Sequence, residues 1–239
     1  MEFVHVKHVQ FDRMASIYRY RTAQAVVADR LRHAVLSGQL PPGSRLLQAA
    51  VAEEMRTSTT PVREAMRELA GEGLLDLDPH RGVMVHSSSV KELEEIYQIR
   101  SLLEPVAIAA TVTNVTPEQV AFAEDLVERM DRESDVAEWA MLNVAFHAGL
   151  AEATGLPILN SILAKLRNVS ALYVASMLHH HPETIGTANE EHRALLKACK
   201  SGDIKAATAT ENAHLRHTLI LVQEQMAPAA AGAASATGS

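Results

Sequence analysis

Thr57-Ser58-Thr59-Thr60-Pro61-Val62-Arg63-Glu64-Ala65-Met66-Arg67-Glu68-Leu69 reads as a short amphipathic helix with a hydroxyl-bearing start. Ser58, Thr59 or Thr60 can cap it, and Pro61 fits its first turn, where the missing N–H leaves no hydrogen bond unmade. Val62, Met66 and Leu69 fall at i, i+4 and i+7 and form one apolar stripe. Arg63 and Arg67 lie off that stripe, four residues apart, and share a face. Hydroxyls and exposed N–H groups at a helix start suit phosphate oxygens, and an arginine in the first turns can reach guanine edges in a DNA major groove. Taken alone, the arginine pair reads more simply as the solvated face of any amphipathic helix, so the neighbouring sequence has to decide.

Upstream, Thr22 to Leu36 is a helical run, ended by the turn chemistry of Gly38-Gln39-Leu40-Pro41-Pro42-Gly43. Leu46 to Met55 predicts a second short helix, with Leu47, Val51 and Met55 on its apolar side. Downstream come Gly71-Glu72-Gly73, the apolar pair Leu74-Leu75 and the turn Asp78-Pro79-His80-Arg81-Gly82, which predict a two-stranded wing. Two helices, a third with arginines, then a hairpin is the winged helix-turn-helix order. It places such a domain at residues 21–87, behind an N-terminal extension of residues 1–20.

The 239 residues leave room for two modest domains. Alanine is abundant and aromatics make up only 4 %, which favours closely packed helices. No apolar run reaches transmembrane length, and Asp12 and Arg13 interrupt the start, so no membrane role or signal peptide is expected. Cys199 is the single cysteine, which rules out an intramolecular disulfide and fits the cytoplasm. The net charge of −7 is unevenly spread: residues 1–88 hold 11 basic and 10 acidic side chains, the remainder 11 and 19. The acidity belongs to the second half, so a dimer of the first half can still hold DNA, with modest and salt-sensitive attraction.

From Val90 onward the apolar period is helical throughout. Ser87-Ser88-Ser89 reads as a linker, and about six helices follow, making residues 88–226 an all-helical bundle. Residues 227–239 form an Ala/Gly/Ser tail without periodicity, expected to be disordered. The fold class is therefore mainly α, a winged helix-turn-helix domain followed by a helical bundle.

Three histidines stand out in the bundle. Asn143 and His147 share a face at i, i+4; His192 and His214 lie at matching distances on either side of the turn Ser201-Gly202-Asp203. If the two helices run antiparallel, both rings sit at similar height, and His147 from a third helix would complete a three-imidazole site. Neutral imidazoles suit divalent transition metals, with an amide oxygen able to fill a further position. Each of these histidines could equally be a hydrogen-bonded core or surface residue. His217 rivals His214, and His179-His180-His181 reads as a solvated cluster. Arg100 falls on the inward stripe of the first bundle helix, and a buried guanidinium needs a partner. That partner is either Glu104, four residues on, or the carboxylate of a small organic acid.

Gly38-Gln39-Leu40-Pro41-Pro42-Gly43-Ser44-Arg45-Leu46, Thr60-Pro61-Val62-Arg63-Glu64-Ala65, Glu72-Gly73-Leu74 and Arg81-Gly82-Val83-Met84-Val85 resemble the DNA-binding domain of the GntR family. The resemblance implies a transcriptional regulator that binds double-stranded operator DNA as a homodimer, through Arg45, Ser58, Thr59, Thr60, Arg63, Arg67, Arg81 and Gly82. Members commonly carry an arginine two residues before the recognition-helix proline. Here that position is Thr59, which leaves Arg63 as the principal candidate for base contact. Arg100-Ser101-Leu102-Leu103-Glu104-Pro105, Asn143-Val144-Ala145-Phe146-His147, Glu191-His192-Arg193-Ala194-Leu195-Leu196, Ser201-Gly202-Asp203 and Ala213-His214-Leu215 resemble the ligand-sensing FCD domain of the FadR subfamily. That implies a metal held by Asn143, His147, His192 and His214, with zinc or nickel as candidates, and a small carboxylate effector at Arg100. Two other readings compete: a metal-only sensor or structural metal site, and a metal-dependent enzyme. The enzyme reading lacks a general base, because Asn143 cannot take a proton and His147 has no HExxH partner.

Overall fold

The computed structural model describes residues 22–78 and 82–234, and the chain divides into two compact units, Met1–Ser87 and Ser88–Ser239. The expected N-terminal extension, residues 1–20, and Arg81 of the wing lie outside the described residues.

In the first unit, α1 (Ala23–Leu36) starts on Thr22, whose hydroxyl accepts the Ala25 N–H. β1 (Arg45–Leu46), α2 (Gln48–Glu54), α3 (Thr59–Gly71), β2 (Leu75–Asp78) and β3 (Gly82–Val85) follow. Val62, Met66 and Leu69 of α3 are fully buried, as their spacing predicts, and so are Leu31, Leu36, Leu40 and Val51. Arg32 ties α1 to the end of α3. Its Nε and Nη2 donate to the two oxygens of Glu72 at 2.9 and 2.6 Å, and Nη2 also reaches Glu68 at 3.2 Å. This fork orients α3 on the core without using its outer face.

Two expectations fail here. The wing is three-stranded, in the antiparallel order β1-β3-β2, because Arg45 and Leu46 pair with Met84 and Val83. A two-residue strand carries no periodicity, so only the partner strand reveals it. Consequently α2 starts at Gln48 rather than Leu46, and Leu47, expected inside, is 49 % exposed at the N-cap.

The second unit consists of six helices and one 3-10 turn among the described residues: α4 (Val90–Asn114), α5 (Pro117–Arg132), α6 (Val136–Glu152), α7 (Pro157–His180), α8 (Ile185–Ser201) and α9 (Ile204–Ala234). Their starts follow from local chemistry. Ser89 caps α4 by accepting the Glu92 N–H, Thr116 and Gln119 form a reciprocal capping box on α5, and Asp135 accepts two N–H groups of α6. Gly202 takes the left-handed conformation (φ 70°) that ends α8 and lets α9 fold back along it. The Tyr173 hydroxyl of α7 donates to the Ser88 carbonyl at 3.1 Å and anchors the start of α4.

α9 runs to Ala234, so residues 227–234, expected to lack structure, are helical; residues 235–239 lie outside the described residues. Alanine is the strongest helix former, and extending an existing helix needs no new nucleus. Among the described residues, no helix is long and apolar enough to cross a membrane.

Candidate functional site

The bundle brings together the three histidines that lie 22 to 67 positions apart in sequence. His147 comes from α6, His192 from α8 and His214 from α9, and one ligand nitrogen of each lies within 4.8 Å of the others. Their ring centroids are 5.2, 5.6 and 5.3 Å apart. The antiparallel return of α9 along α8 sets this, through the Gly202 turn.

Each ring is held differently. His192 is 1 % exposed, with Phe146 at 4.5 Å and Trp139 stacked at 6.3 Å between centroids. Trp139 is in turn fixed by its indole N–H, which donates to Asn189 at 3.1 Å. His214 is fixed by Glu191: its Nδ1 lies 2.6 Å from a carboxylate oxygen. A carboxylate can only accept, so Nδ1 carries a proton and Nε2 is the nitrogen left for a ligand. His217 shares the other Glu191 oxygen at 3.2 Å. It therefore stands outside the triad and supports the same carboxylate.

Electrostatics keep the site in the form that binds cations. Burial, then the neighbouring imidazoles, hold His147 and His192 well below the ordinary histidine range, so both are neutral. Burial pushes Glu191 up, but the hydrogen bond from His214 and the charges around it more than offset this and keep it ionised.

The residues fit a divalent transition metal on an observation independent of their types. Both ring nitrogens of His192 and the Asn143 oxygen are buried without a hydrogen-bond partner. Buried polar atoms left unmatched cost about 1–3 kcal/mol each, and a cation at the triad would satisfy a His192 nitrogen. Three imidazoles and an amide oxygen are a donor set for zinc or nickel rather than for calcium or magnesium.

Beside the triad opens a cavity of about 360 Å³ that includes Asn143, His147 and His214 in its wall. Arg100 lines it too, 8 % exposed in its side chain, with its guanidinium carbon 5.2 Å from the Tyr97 ring centroid. Glu104 is its partner at 3.3 Å. The sequence reading did not find Arg167 of α7. Its Nε donates to Glu104 Oε1 at 2.9 Å and its Nη2 to Oε2, and it also lines the cavity. Arg167 has no apolar stripe to mark its inward face, since Asn160, Ala164, Asn168 and Ala171 around it are polar or small.

Burial pushes Glu104 up, but the two guanidiniums outweigh it and hold the carboxylate ionised. Glu211, also buried, is pushed up by burial and by Glu104. Two guanidiniums thus face the Glu104 carboxylate in a cavity wall that also carries Glu152 and Glu191.

The residues expected from the sequence to contact DNA sit on α3 and the sheet. Ser58 is the N-cap of α3, and its side chain makes no capping bond. Pro61 lies in the first turn, and Thr59 and Thr60 are exposed. Arg63 and Arg67 are 50 % and 59 % exposed and lean on Glu64 at 3.4 and 3.1 Å. Exposed pairs of this kind contribute about 0–1 kcal/mol, so both arginines are free to turn outward. Gly82 opens β3 at φ 83°, a conformation that disfavours a side chain, and the Arg45 guanidinium approaches it from β1.

Comparison with known proteins agrees with this division. Residues 23–85 match the bacterial regulatory proteins of the gntR family, and residues 95–217 match the FCD domain. The chain is 29 % identical to the HTH-type transcriptional regulator McbR of Escherichia coli K12, over 83 % of this chain and 88 % of McbR. It is 30 % identical to a probable D-xylose utilization operon transcriptional repressor of Paenarthrobacter nicotinovorans, over 78 % of this chain and 82 % of that protein. Among solved structures, E. coli McbR/YncC superposes with a TM-score of 0.75 at 25 % identity, covering 86 % of this chain and 99 % of that one. These relatives are transcriptional regulators, not enzymes.

Proposed function

For a chain that belongs to the gntR family of bacterial regulatory proteins, and is a DNA-binding transcriptional regulator with an FCD domain, we propose that operator affinity is set by a small carboxylate bound in the bundle cavity beside a metal ion. The observation that carries this reading is the shared wall: residues of the three-imidazole cluster and of the Arg100–Glu104–Arg167 network, with its two guanidiniums, open onto one cavity.

In this reading Asn143, His147, His192 and His214 hold zinc or nickel, which supplies positive charge and a binding position for an oxygen of the acid. Arg100 and Arg167 take the carboxylate, the guanidinium fork matching its two oxygens. Glu104 keeps both arginines folded inward when the cavity is empty. A ligand changes operator affinity only by binding DNA-competent and incompetent dimers unequally, and the coupling is reciprocal.

Pairing with a second copy, as in the FadR subfamily, is part of the same proposal. It is supported by apolar side chains left exposed on two helices packed against each other: Leu102 (74 %) and Val106 (54 %) on α4, Ile158 (79 %) and Ile162 (47 %) on α7. A two-fold dimer then meets two operator half-sites, in the cytoplasm where that DNA lies.

The test is elemental analysis and native mass spectrometry of the purified protein, followed by titration of metal and then carboxylates against operator binding. One equivalent of metal per chain and a carboxylate-dependent change in affinity are expected. If metal alone shifts the affinity, the protein is a metal sensor and the effector reading fails. His192→Ala is expected to lower metal content by at least tenfold under dialysis. It should also remove the part of the thermal stability that added metal confers on the wild type. Unaltered metal stoichiometry in that variant would show that the triad is not the metal site.

A further inference from the structure

His192 is the member of the triad without the usual anchor. A metal-ligating imidazole ordinarily gives its second ring nitrogen to a carboxylate or carbonyl, as His214 does to Glu191, and this fixes the plane of the ring. Among the described residues neither nitrogen of His192 has a hydrogen-bond partner. Its plane is set by other rings instead. Trp139 stacks on it with centroids 6.3 Å and planes 24° apart, and Phe146 lies at 4.5 Å. Behind Trp139 a line of hydrogen bonds runs out to the surface. The indole N–H donates to Asn189 Oδ1 at 3.1 Å, and Asn189 Nδ2 donates to Asp131 Oδ1 at 2.8 Å. The other Asp131 oxygen accepts from Arg193 Nη2. The direction of this line is forced, because a carboxylate only accepts and an indole only donates. Turned over, the Asn189 amide would meet Trp139 with N–H against N–H and Asp131 with oxygen against oxygen.

We propose that Asp131 and Asn189 are positioning residues for the metal site. They hold the plane of Trp139, and Trp139 holds the His192 ring with a nitrogen within 4.8 Å of those of His147 and His214. Asp131 stands in the last turn of α5, where the carbonyl end of a helix disfavours a carboxylate. The helix alone gives no reason for an acid there; the amide and the guanidinium that reach it from α8 do. Its exposed pair with Arg193 adds little stability by itself. The competing role is to dock α5 on α8, and the fold supplies a control for it. Lys200 Nζ of α8 meets Glu124 of α5 at 2.7 Å. Glu124 lies seven residues before Asp131, and Lys200 seven after Arg193, so this second rung ties the same two helices about 10 Å away. It makes no link to Trp139.

This inference rests on the triad holding a metal, and the test separates the two. Trp139 is the single tryptophan of the chain, so its emission reports on the site alone. Chelator-treated full-length protein is titrated with nickel chloride against a competing chelator. Nickel quenches a neighbouring indole and zinc does not, so added zinc restores the emission by displacement. The wild type is expected to saturate at one nickel per chain. Asn189→Leu and Asp131→Ala are expected to bind nickel about tenfold more weakly or worse, the usual effect of removing a group behind a ligand. Asp131→Asn keeps an oxygen for Asn189 and recovers most of the affinity, and Lys200→Ala binds like the wild type. Asn189→Leu also shifts the metal-free emission maximum, because the indole N–H loses its acceptor. Circular dichroism establishes that each variant folds, and Asp131→Ala, at a partly exposed site, carries the test if Asn189→Leu does not fold. Wild-type affinity in Asp131→Ala and in folded Asn189→Leu overturns the positioning role and leaves the metal reading standing. An equal loss in Lys200→Ala does the same, since the effect would then be one of helix docking. Absence of bound nickel in the wild type, by quenching and by native mass spectrometry, overturns both.

Discussion

Arg63→Ala is expected to remove specific operator binding while the fold, the oligomeric state and the metal content stay unchanged. Arg63 sits in the first turns of α3, half exposed, and its Nε donates to Glu64 at 3.4 Å. Deleting an exposed pair of this kind costs the fold about 0–1 kcal/mol. On DNA the same side chain is worth far more. A bidentate contact to a guanine edge discriminates by about 1–3 kcal/mol, and a two-fold dimer makes it twice. The expected loss is therefore roughly 30-fold to 10⁴-fold in operator affinity, with non-specific binding nearly intact. Arg67→Ala should instead weaken binding to all sequences alike and lower the salt slope by about one unit, as a phosphate contact does. Competition binding against operator and scrambled DNA at two salt concentrations measures both. An unchanged specificity ratio in Arg63→Ala would remove α3 as the reading element. The absence of an arginine at Thr59 sharpens this forecast, because no neighbouring guanidinium on the first turn can compensate.

Glu104→Gln is expected to be the most destabilising single change in the bundle that alters no volume. The carboxylate is wholly buried and is the shared partner of Arg100 and Arg167. Its loss leaves two guanidiniums facing each other with one neutral amide oxygen between them. Breaking a buried pair by removing one partner costs about 3–5 kcal/mol, which is roughly 6–20 °C in Tm for a chain of this size. The effect has a defined pH dependence. Burial raises Glu104, but the arginines outweigh it and its folded pKa is depressed, so its contribution is present above the ordinary glutamate range. It fades as pH falls through the depressed value, and the Tm gap between wild type and variant closes there. A saturating carboxylate effector should also narrow the gap at neutral pH, by supplying the missing negative charge. Thermal melts with and without hexanoate read both effects. A gap independent of both pH and carboxylate would mean that Glu104 acts by packing and not by charge.

The helix starts were legible in sequence because caps are local chemistry. Thr22, Ser89, Thr116 and Asp135 each accept an N–H two or three residues on, within reach of a short window. The buried stripe of α3 was legible for the same reason, since a period of 3.6 needs no partner to be seen. β1 was not, because two residues have no period, and Leu47 was misplaced with it. In the bundle, the spacing of His192 and His214 around Ser201-Gly202-Asp203 foretold that their rings would meet, given an antiparallel return that the left-handed Gly202 provides. Arg167, Asn189 and the orienting role of Glu191 left no such trace. Each is defined by what lies opposite it on another helix: Glu104, Trp139 and His214.

The amino-acid sequence by itself determined the winged domain, the count of bundle helices, the family motifs and the histidines that face one another, because these depend on caps, turns and periodicity within single segments. Only the tertiary structure decided which charges share the cavity and which polar atoms are left without partners. Pairing, burial and the direction of a pKa shift are properties of side chains from three or four helices converging on one point, and no single segment encodes that convergence.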